Sequence, residues 1–236
     1  MVYTPIQQFH SEHYHRHNQK RLEHLASLGI DFNGATVLEV GAGIGDHSEF
    51  LLTKNCQLTI TEARLENLEL LRDRFPNYPV LQLDLDEPNL AFDQPFDIIY
   101  CYGLLYHLKN PTRAIEFMAQ NCRGILLLET CVSPGDEEAI NPCSEVTGDP
   151  TQSFSGTGCR PTRPWIFQQL KNYFNVVYLP TTQPDHEEFP IDWTIPPSYD
   201  PAKNLIRSIF IASRTRLENT LFIDYLPMRQ LRYRVN

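Results

Sequence analysis

The regular alternation of strand-like and helix-like segments is the feature that most restricts what this chain can fold into. From Ala35 onward, short apolar runs alternate with helical patterns through five units. Seven strands are predicted: Thr36–Val40, Gln57–Thr61, Val80–Leu83, Phe96–Tyr100, Ile125–Leu128, Val176–Leu179 and Ser208–Ala212. The fifth strand shows no polar–apolar alternation, which indicates burial on both faces. The pattern therefore predicts an α/β fold, a doubly wound and mostly parallel sheet covered by helices.

The chain is predicted to form a single domain, residues 1–236, with segments added before, within and after the alternating core. Residues 1–34 form a helical lead-in, residues 35–130 a core, and residues 214–236 a C-terminal tail. Two long insertions, residues 131–161 and 180–204, each follow a strand directly. Ligands of such sheets bind outside the carboxyl ends of the parallel strands, so both insertions are predicted to overhang that crevice. The second does so if the sixth strand is parallel.

Length and charge restrict the class of protein. The chain has 236 residues, which suits one domain with extensions, and a net charge of −9. This negative charge repels a phosphate backbone, so we do not expect general nucleic-acid binding. No basic-then-apolar leader and no apolar run of about 20 residues occurs, so neither a signal peptide nor a membrane span is expected. The six cysteines are scattered without a C-x-x-C pair, so we expect a reduced cytoplasmic protein without structural zinc.

A glycine-rich loop follows the first predicted strand. Gly41, Gly43 and Gly45 allow a tight turn and a close approach of ligand to backbone. A P-loop would end in Gly-Lys-Ser/Thr, which is absent, and a dinucleotide loop would carry glycine where Asp46 stands. Asp46 would also repel a pyrophosphate. The acid before the glycines, Glu39, fits instead a ligand with a cationic amine and no phosphate.

At this loop the sequence resembles the class I S-adenosylmethionine-dependent methyltransferases, whose first motif has the form E/D-x-G-x-G-x-G. Glu39, Gly41, Gly43 and Gly45 match it position by position. The resemblance covers residues 35–130 well and the later strands loosely. It implies S-adenosyl-L-methionine as methyl donor and a seven-stranded sheet whose last strand is antiparallel.

Three further stations of that family follow in order at strand ends. The resemblance implies that Glu62 accepts hydrogen bonds from both ribose hydroxyls, a task that suits the two oxygens of a carboxylate. It also implies that Asp84 bonds the adenine amino group and that the Leu85 backbone contacts a ring nitrogen. The fourth strand and its continuation into Tyr106-His107 resemble the motif that lines the donor pocket. The predicted donor-binding residues are Glu39, Gly41, Ala42, Gly43, Gly45, Glu62, Ala63, Asp84, Leu85 and Tyr102.

These residues also allow a purely structural interpretation. It assigns the glycines to turn sterics and the acids to solvated helix starts. Four stations in order favour the donor site over that interpretation.

His107 is the candidate for proton removal from the acceptor. It follows the fourth strand near the expected methyl group, and a histidine pKa of about 6.5 suits a base at neutral pH. The alternative is a histidine that packs on or caps the helix beginning near Pro111, and the sequence leaves both open. Tyr106 beside it is predicted to contact the acceptor.

The insertions supply the other predicted acceptor-binding residues. Arg160 and Arg163 present guanidinium groups that match a carboxylate or phosphate, which favours an anionic or polyhydroxylated acceptor. His186 and Glu187 offer hydrogen bonds to a sugar. The alternatives are a rim loop with Trp193 packed on the core, and ion pairs of the two arginines with neighbouring acids: Asp136, Glu137 or Glu138.

Histidines crowd the lead-in. His10, His13 and His17 fall at helical spacing, so a metal site is conceivable. Because H-x-x-H has no carboxylate partner here, the sequence favours a solvated or crevice-facing helix and predicts no metal. By resemblance, Tyr14 or His17 is expected to touch the donor.

The C-terminal tail interleaves basic and aromatic residues. Arg229, Arg232 and Arg234 alternate with Tyr225 and Tyr233, a pattern that could contact RNA. Against the net charge of −9, we favour a docking or dimer-contact tail.

The sequence therefore predicts an S-adenosylmethionine-dependent methyltransferase that acts on an oxygen or nitrogen of a small-molecule acceptor, anionic or sugar-like. A transfer-RNA-modifying enzyme is the first alternative, because Glu129-Thr130 and Tyr106-His107 resemble enzymes that alkylate wobble uridine. A non-catalytic binder of the donor is the second.

Overall fold

A central sheet of eight strands organises the chain. The computed structural model describes residues 4–194 and 205–235. The sheet strands are β1 Thr36–Val40, β2 Gln57–Glu62, β3 Val80–Gln82, β4 Phe96–Tyr102, β5 Cys122–Val132, β8 Val176–Pro180, β10 Ile206–Ser213 and β11 Phe222–Ile223. Within the described residues their order in the sheet is β11-β8-β10-β5-β4-β1-β2-β3. Two small ribbons pair β6 Pro142–Ser144 with β7 Thr157–Cys159, and β9 Thr182–Gln183 with β12 Leu231–Arg232.

Helices cover both faces of the sheet. They are α1 Pro5–Phe9, α2 Glu12–Ser27, α3 Asp46–Leu52, α4 Leu65–Arg74, α5 Pro111–Gln120 and α6 Arg163–Lys171, with a 3₁₀ turn at Leu105–His107. Val37 and Leu38, adjacent in β1, pack into different apolar clusters on the two faces of the sheet. This two-sided burial explains why the strands lack polar–apolar alternation.

The direction of the strands confirms the predicted sheet. β1 to β5 pair in parallel, whereas β10 runs antiparallel to both β5 and β8. The seven predicted strands are present, and the two-residue β11 adds an eighth at the edge beside β8. The order reverses between β1 and β4, so the crevice at their carboxyl ends is the expected ligand site.

Backbone contacts fix the start of α5. Pro111 occupies its first turn, and the Asn110 side chain makes no cap hydrogen bond. The Asp86 carboxylate instead accepts the N–H groups of Lys109 and Asn110, at 3.2 and 2.8 Å. Gly124 lies within β5, close to the backbone of β4. A Cβ on Gly124 would lie 2.4 Å from the carbonyl oxygen of Asp97.

The insertions begin later than predicted. β5 continues through Val132, so Glu129 and Thr130 are strand residues and the first insertion starts at Ser133. That insertion contains the β6–β7 ribbon. The second predicted insertion is described only as far as Thr194, and its residues 195–204 lie outside the described residues.

The tail folds back onto its own chain through β12 and β9. No helix in the described part of the chain is both long enough and apolar enough to cross a bilayer.

Candidate functional site

A cavity of about 990 Å³, its open mouth included, lies at the carboxyl ends of β1 to β4. Nine of the ten predicted donor-binding residues line it, together with His107. The exception is Gly45, which lies directly before α3 and has a φ of 90°. A Cβ there would lie 2.4 Å from the Phe75 ring. Gly45 therefore serves the packing of α3 rather than the cavity wall.

The glycine loop is closely covered by the N-terminal segment. Gly41 and Gly43 have φ angles of 70° and 59°, a region that favours glycine. A Cβ on Gly43 would lie 2.9 Å from the Phe9 ring. The loop can therefore pass beneath α1 only because glycine stands at this position.

Glu39 is a buried acid at the end of β1. Its side chain is 2% exposed, and the Ser48 hydroxyl donates to Oε2 at 2.5 Å. Burial raises the pKa of this carboxyl to about 8. No basic side chain among the described residues forms an ion pair with it. The Glu39 end of the cavity therefore favours a cationic ligand group.

Glu62 connects the end of β2 to the glycine loop. Its carboxylate accepts the backbone N–H groups of Gly43 at 2.9 Å and of Ala63 and Arg64 at 3.0 Å. Burial raises its pKa, and these three hydrogen bonds oppose the rise. Asp84, after β3, is half-buried and accepts the N–H of Asp86 at 2.9 Å. Three acids from three adjacent strand ends thus face one cavity.

Aromatic residues form another wall. The rings of Tyr100 and Tyr102 stack with centroids 4.5 Å apart, and His47 Nδ1 lies 2.7 Å from the Tyr100 hydroxyl. The Tyr102 hydroxyl is buried without a hydrogen-bond partner in the described chain. From α2, Tyr14 and Arg21 reach the same cavity. Tyr14 thus lines the cavity, and its contact with the donor stays a prediction.

A buried ion-pair network adjoins that wall. Glu129 is fully buried and accepts from Arg21 Nη1 at 2.8 Å and from Arg207 Nη1 at 3.0 Å. Arg207 also donates to the Tyr106 hydroxyl at 3.2 Å and to Glu188 Oε2 at 2.5 Å. Sequence reasoning missed both arginines, since nothing local joins residues that are 78 and 108 positions from Glu129.

His107 lies on the 3₁₀ turn after β4, and its Nδ1 is 2.5 Å from Glu145 Oε2. Glu145 comes from the first insertion, where it also accepts the Ser153 N–H at 2.7 Å. Burial lowers the pKa of His107, and the Glu145 carboxylate opposes that shift. A neutral ring that donates from Nδ1 keeps its Nε2 lone pair available. Glu145 was missed because no motif marks it.

Arg160 and Arg163 do not line the cavity. Arg160 donates to the carbonyl of Tyr106 at 3.0 Å and to Glu145 at 3.1 Å, so it anchors the first insertion. Its ion-pair partner is therefore Glu145 rather than the predicted neighbouring acids. Arg163 donates to the Pro227 carbonyl at 3.0 Å and lies 3.9 Å above the Trp193 ring. Burial lowers its pKa to about 9.

The first insertion covers part of the cavity. Pro150, Thr151, Gln152 and Phe154 line it, as predicted for an overhanging segment. Arg64 fixes this cover by donating to the Ser153 carbonyl at 2.9 Å.

The described part of the second insertion, by contrast, does not reach the cavity lining. His186 and Glu187 lie against α2 with His13, His17 and Glu188. The carboxylate partners that the lead-in histidines lack in sequence therefore come from this distant segment. His17 faces this group and not the cavity.

Comparisons with known proteins agree with this geometry. The sequence matches the family described as "Methyltransferase domain" over residues 10–146. The tRNA U34 carboxymethyltransferase of Hahella chejuensis is 31% identical over 124 residues, 50% of this chain and 37% of that protein. The enzyme of the same name from Haemophilus ducreyi is 34% identical over 129 residues, 50% of this chain and 38% of that protein. The match thus spans less than two fifths of the length of these relatives.

Solved structures show the same fold. The N-terminal domain of EvdMO1, determined in the presence of SAH and D-fucose, superposes with a TM-score of 0.62 and 20% identity over 86% of this chain and 84% of that one. An S-adenosylmethionine-dependent methyltransferase from Mesorhizobium loti gives a TM-score of 0.59 and 15% identity, with 84% and 100% of the two chains covered. With the family match over more than half of its residues, the chain belongs to the class I S-adenosylmethionine-dependent methyltransferases.

Proposed function

We propose that this methyltransferase transfers the methyl group of S-adenosylmethionine to an oxygen or nitrogen of a small-molecule acceptor, anionic or sugar-like. The observation that carries the proposal is the convergence of Glu39, Glu62 and Asp84 with His107 in one covered cavity. The donor supplies an electrophilic methyl group when bound, and the chain supplies position, charge and a proton acceptor.

The donor's chemistry fits the residues present. Glu39 is a buried acid without a basic partner in the described chain, so it suits the cationic amino group. Within the described chain, Glu62 Oε2 accepts only the Gly43 N–H, so it retains acceptor capacity toward the ribose, while three N–H groups hold the carboxylate in place. Asp84 and the Leu85 backbone follow the next strand end of the sheet, which supports their proposed contacts with the adenine.

The cover of the cavity favours a small acceptor. Phe9 and Tyr14 lie over one side, and residues 150–154 lie over another. Cover on two sides restricts the access of a large acceptor more than that of a compact one. The shared fold with the EvdMO1 domain, studied with D-fucose, makes deoxy-sugars a natural first probe.

Binding of the demethylated donor should depend on pH through Glu39. The carboxyl has a pKa of about 8, so it is largely protonated below pH 8. A cationic amine favours the ionised form, so binding releases a proton below pH 8. We expect the affinity to rise with pH up to about 8, by at most tenfold per pH unit, and then to level off.

Calorimetry in buffers of different ionisation enthalpy measures this proton release directly. Glu39→Gln should remove both the release and the pH dependence. An unchanged pH profile in that variant would reject the assignment of Glu39 to the amine.

A transfer-RNA acceptor is the second candidate, because the curated relatives carry the name tRNA U34 carboxymethyltransferase. The net charge of −9 counts against it, since contacts with phosphate rely on basic residues. Arg21 in the cavity wall would suit a carboxylate on a transferred group, which keeps a carboxymethyl donor worth testing.

One experiment separates these functions. The full chain is incubated with a methyl-labelled donor and, in parallel reactions, with a carboxymethyl-labelled donor. Each donor is offered a panel of sugar and carboxylate acceptors and, separately, total transfer RNA. We expect label in a small-molecule fraction and none in RNA. Label confined to RNA would establish the second candidate. Donor binding by calorimetry without transfer to any acceptor would instead indicate a non-catalytic binder.

A further inference from the structure

A group of histidine and glutamate side chains lies between α2 and the described part of the second insertion, outside the donor cavity. We refer to His13, His17, His186 and Glu188 as the His/Glu cluster. Two sets of potential ligand atoms, His17–His186–Glu188 and His13–His186–Glu187, each fall within 4.8 Å of one another. The residues come from positions more than 160 apart in the chain, so the fold itself assembles them.

Two members of the cluster are buried without hydrogen-bond partners. The side chains of His17 and His186 are 4% and 0% exposed. The Nε2 atom of each has no partner among the described residues. A buried polar atom without a partner is costly, and a ligand at this position would satisfy both.

The spacing of the ligand atoms is close to that of a metal site. His17 Nε2 lies 3.6 Å from Glu188 Oε2, and His13 Nε2 lies 3.1 Å from Glu188 Oε1. Ligand atoms at zinc–ligand distances of about 2.1 Å in a tetrahedron are about 3.4 Å apart. Side-chain rotations that bring His13 to the His17–His186–Glu188 set would complete such a site.

Neighbouring groups hold the cluster in position. Arg207 binds Glu188 twice, through Nε to the carboxylate at 2.5 Å and through its backbone N–H to the Glu188 carbonyl at 2.7 Å. Arg16 pairs with Glu187 at the rim. The side chains of His13 and Glu187 are 57% and 59% exposed, which gives an ion a path from solvent.

We propose that the His/Glu cluster binds one divalent transition-metal ion of the zinc type. Three imidazoles and one carboxylate are a nitrogen-rich donor set that suits Zn²⁺, whereas Mg²⁺ prefers oxygen ligands. Binding through His186 Nε2 places the ring proton on Nδ1. The long 3.3 Å contact from the Glu188 N–H to that atom is then given up.

Metal binding would affect the donor cavity through α2, which contributes residues to both. His13 and His17 share this helix with Tyr14 and Arg21, which line the donor cavity. An ion bridging α2 to His186 and Glu188 fixes the helix that covers the cavity. The site is a positioning element, and its existence is independent of the acceptor proposed above.

The test uses the full chain, stripped with a chelator and titrated with Zn²⁺ or, for comparison, Mg²⁺. Calorimetry should show one Zn²⁺ per chain with a submicromolar Kd and no comparable Mg²⁺ binding, and Zn²⁺ should raise the Tm by several degrees. His17→Ala and His186→Ala should each weaken Zn²⁺ binding by at least about tenfold. The matched control is His15→Ala, an exposed histidine of the same helix, which should bind Zn²⁺ as the wild type does.

Two results would overturn the proposal: a wild-type chain that takes up no Zn²⁺, or Zn²⁺ binding that is equal in His17→Ala, His186→Ala and wild type. Should those variants fail to fold, two further measurements decide. His13→Ala removes a half-exposed ligand and should weaken binding. Co²⁺ in the wild-type chain should show the intense visible absorption of a tetrahedral nitrogen-ligated site, and a weak spectrum of aqueous type would reject it.

Discussion

Replacing Glu62 with alanine should weaken binding of S-adenosylmethionine and its demethylated product by a hundredfold or more. The carboxylate is the proposed acceptor for two ribose hydroxyls, and each hydrogen bond to a charged group contributes about 1.5–3 kcal/mol. The same substitution leaves the N–H groups of Gly43, Ala63 and Arg64 without their acceptor. The glycine loop then loses its link to β2, which adds to the loss of affinity.

Calorimetry with the demethylated donor measures the effect, and thermal denaturation confirms that the variant folds. Glu66→Ala is the matched control, because Glu66 lies four residues away with a side chain 52% exposed and faces Arg64 at 3.5 Å. It should bind the donor as the wild type does. Glu62→Gln keeps one acceptor oxygen and should fall between the two. Equal affinity in Glu62→Ala and Glu66→Ala would contradict the ribose assignment.

The sheet could be predicted from the sequence because its signals are local. Apolar runs such as Thr36–Val40 and Ile125–Leu128 are buried on both faces, and the glycines after β1 mark a tight turn. The carboxyl ends of parallel strands lie at the same edge of a sheet, which is why Glu39, Glu62 and Asp84 line one cavity. The same reasoning missed β11, since two residues carry no periodicity.

The contacts of the insertions could not be predicted, because they depend on partners far along the chain. Arg160 was predicted to bind an anionic acceptor, whereas the structure pairs it with Glu145 and the Tyr106 carbonyl. Both residues of that ion pair lie within one insertion, yet the turn of the β6–β7 ribbon that joins them has no sequence signature. A guanidinium group does bind a carboxylate here, but the sequence could not show that the carboxylate belongs to Glu145.

The histidines of residues 1–34 also have partners that are far away in the sequence. H-x-x-H on a helix lacks a carboxylate in sequence, so the spacing alone could not favour a metal. The structure brings Glu188 within 3.1 Å of His13 across 175 positions of sequence. A set of potential metal ligands that is spread over two distant segments becomes visible only once the chain is folded.

His107→Ala should lower kcat by about a hundredfold to ten-thousandfold while leaving donor affinity within a few fold of wild type. General bases contribute rate factors of this size. Nδ1 of His107 is held by Glu145 at 2.5 Å, so Nε2 is the nitrogen that takes the proton from the acceptor. Burial lowers the pKa of His107 below its usual value near 6.5, so wild-type kcat should fall only when the pH drops below about 6.5. Turnover and donor affinity are measured separately, by product formation and by calorimetry.

Glu145→Gln separates a base from a packed histidine. The Glu145 carboxylate raises the pKa of His107, and an amide does not, so the acidic limb of the kcat profile should move to lower pH. The weaker base should also lower the plateau of kcat, by less than His107→Ala does. If His107 only packed against the insertion, Glu145→Gln would leave the pH profile of kcat unchanged, and removal of His107 would reduce stability rather than kcat.

Unchanged kcat in a folded His107→Ala variant would mean that the acceptor arrives already deprotonated. In-line alignment would then supply the rate enhancement, and His107 would be the structural residue of the alternative interpretation.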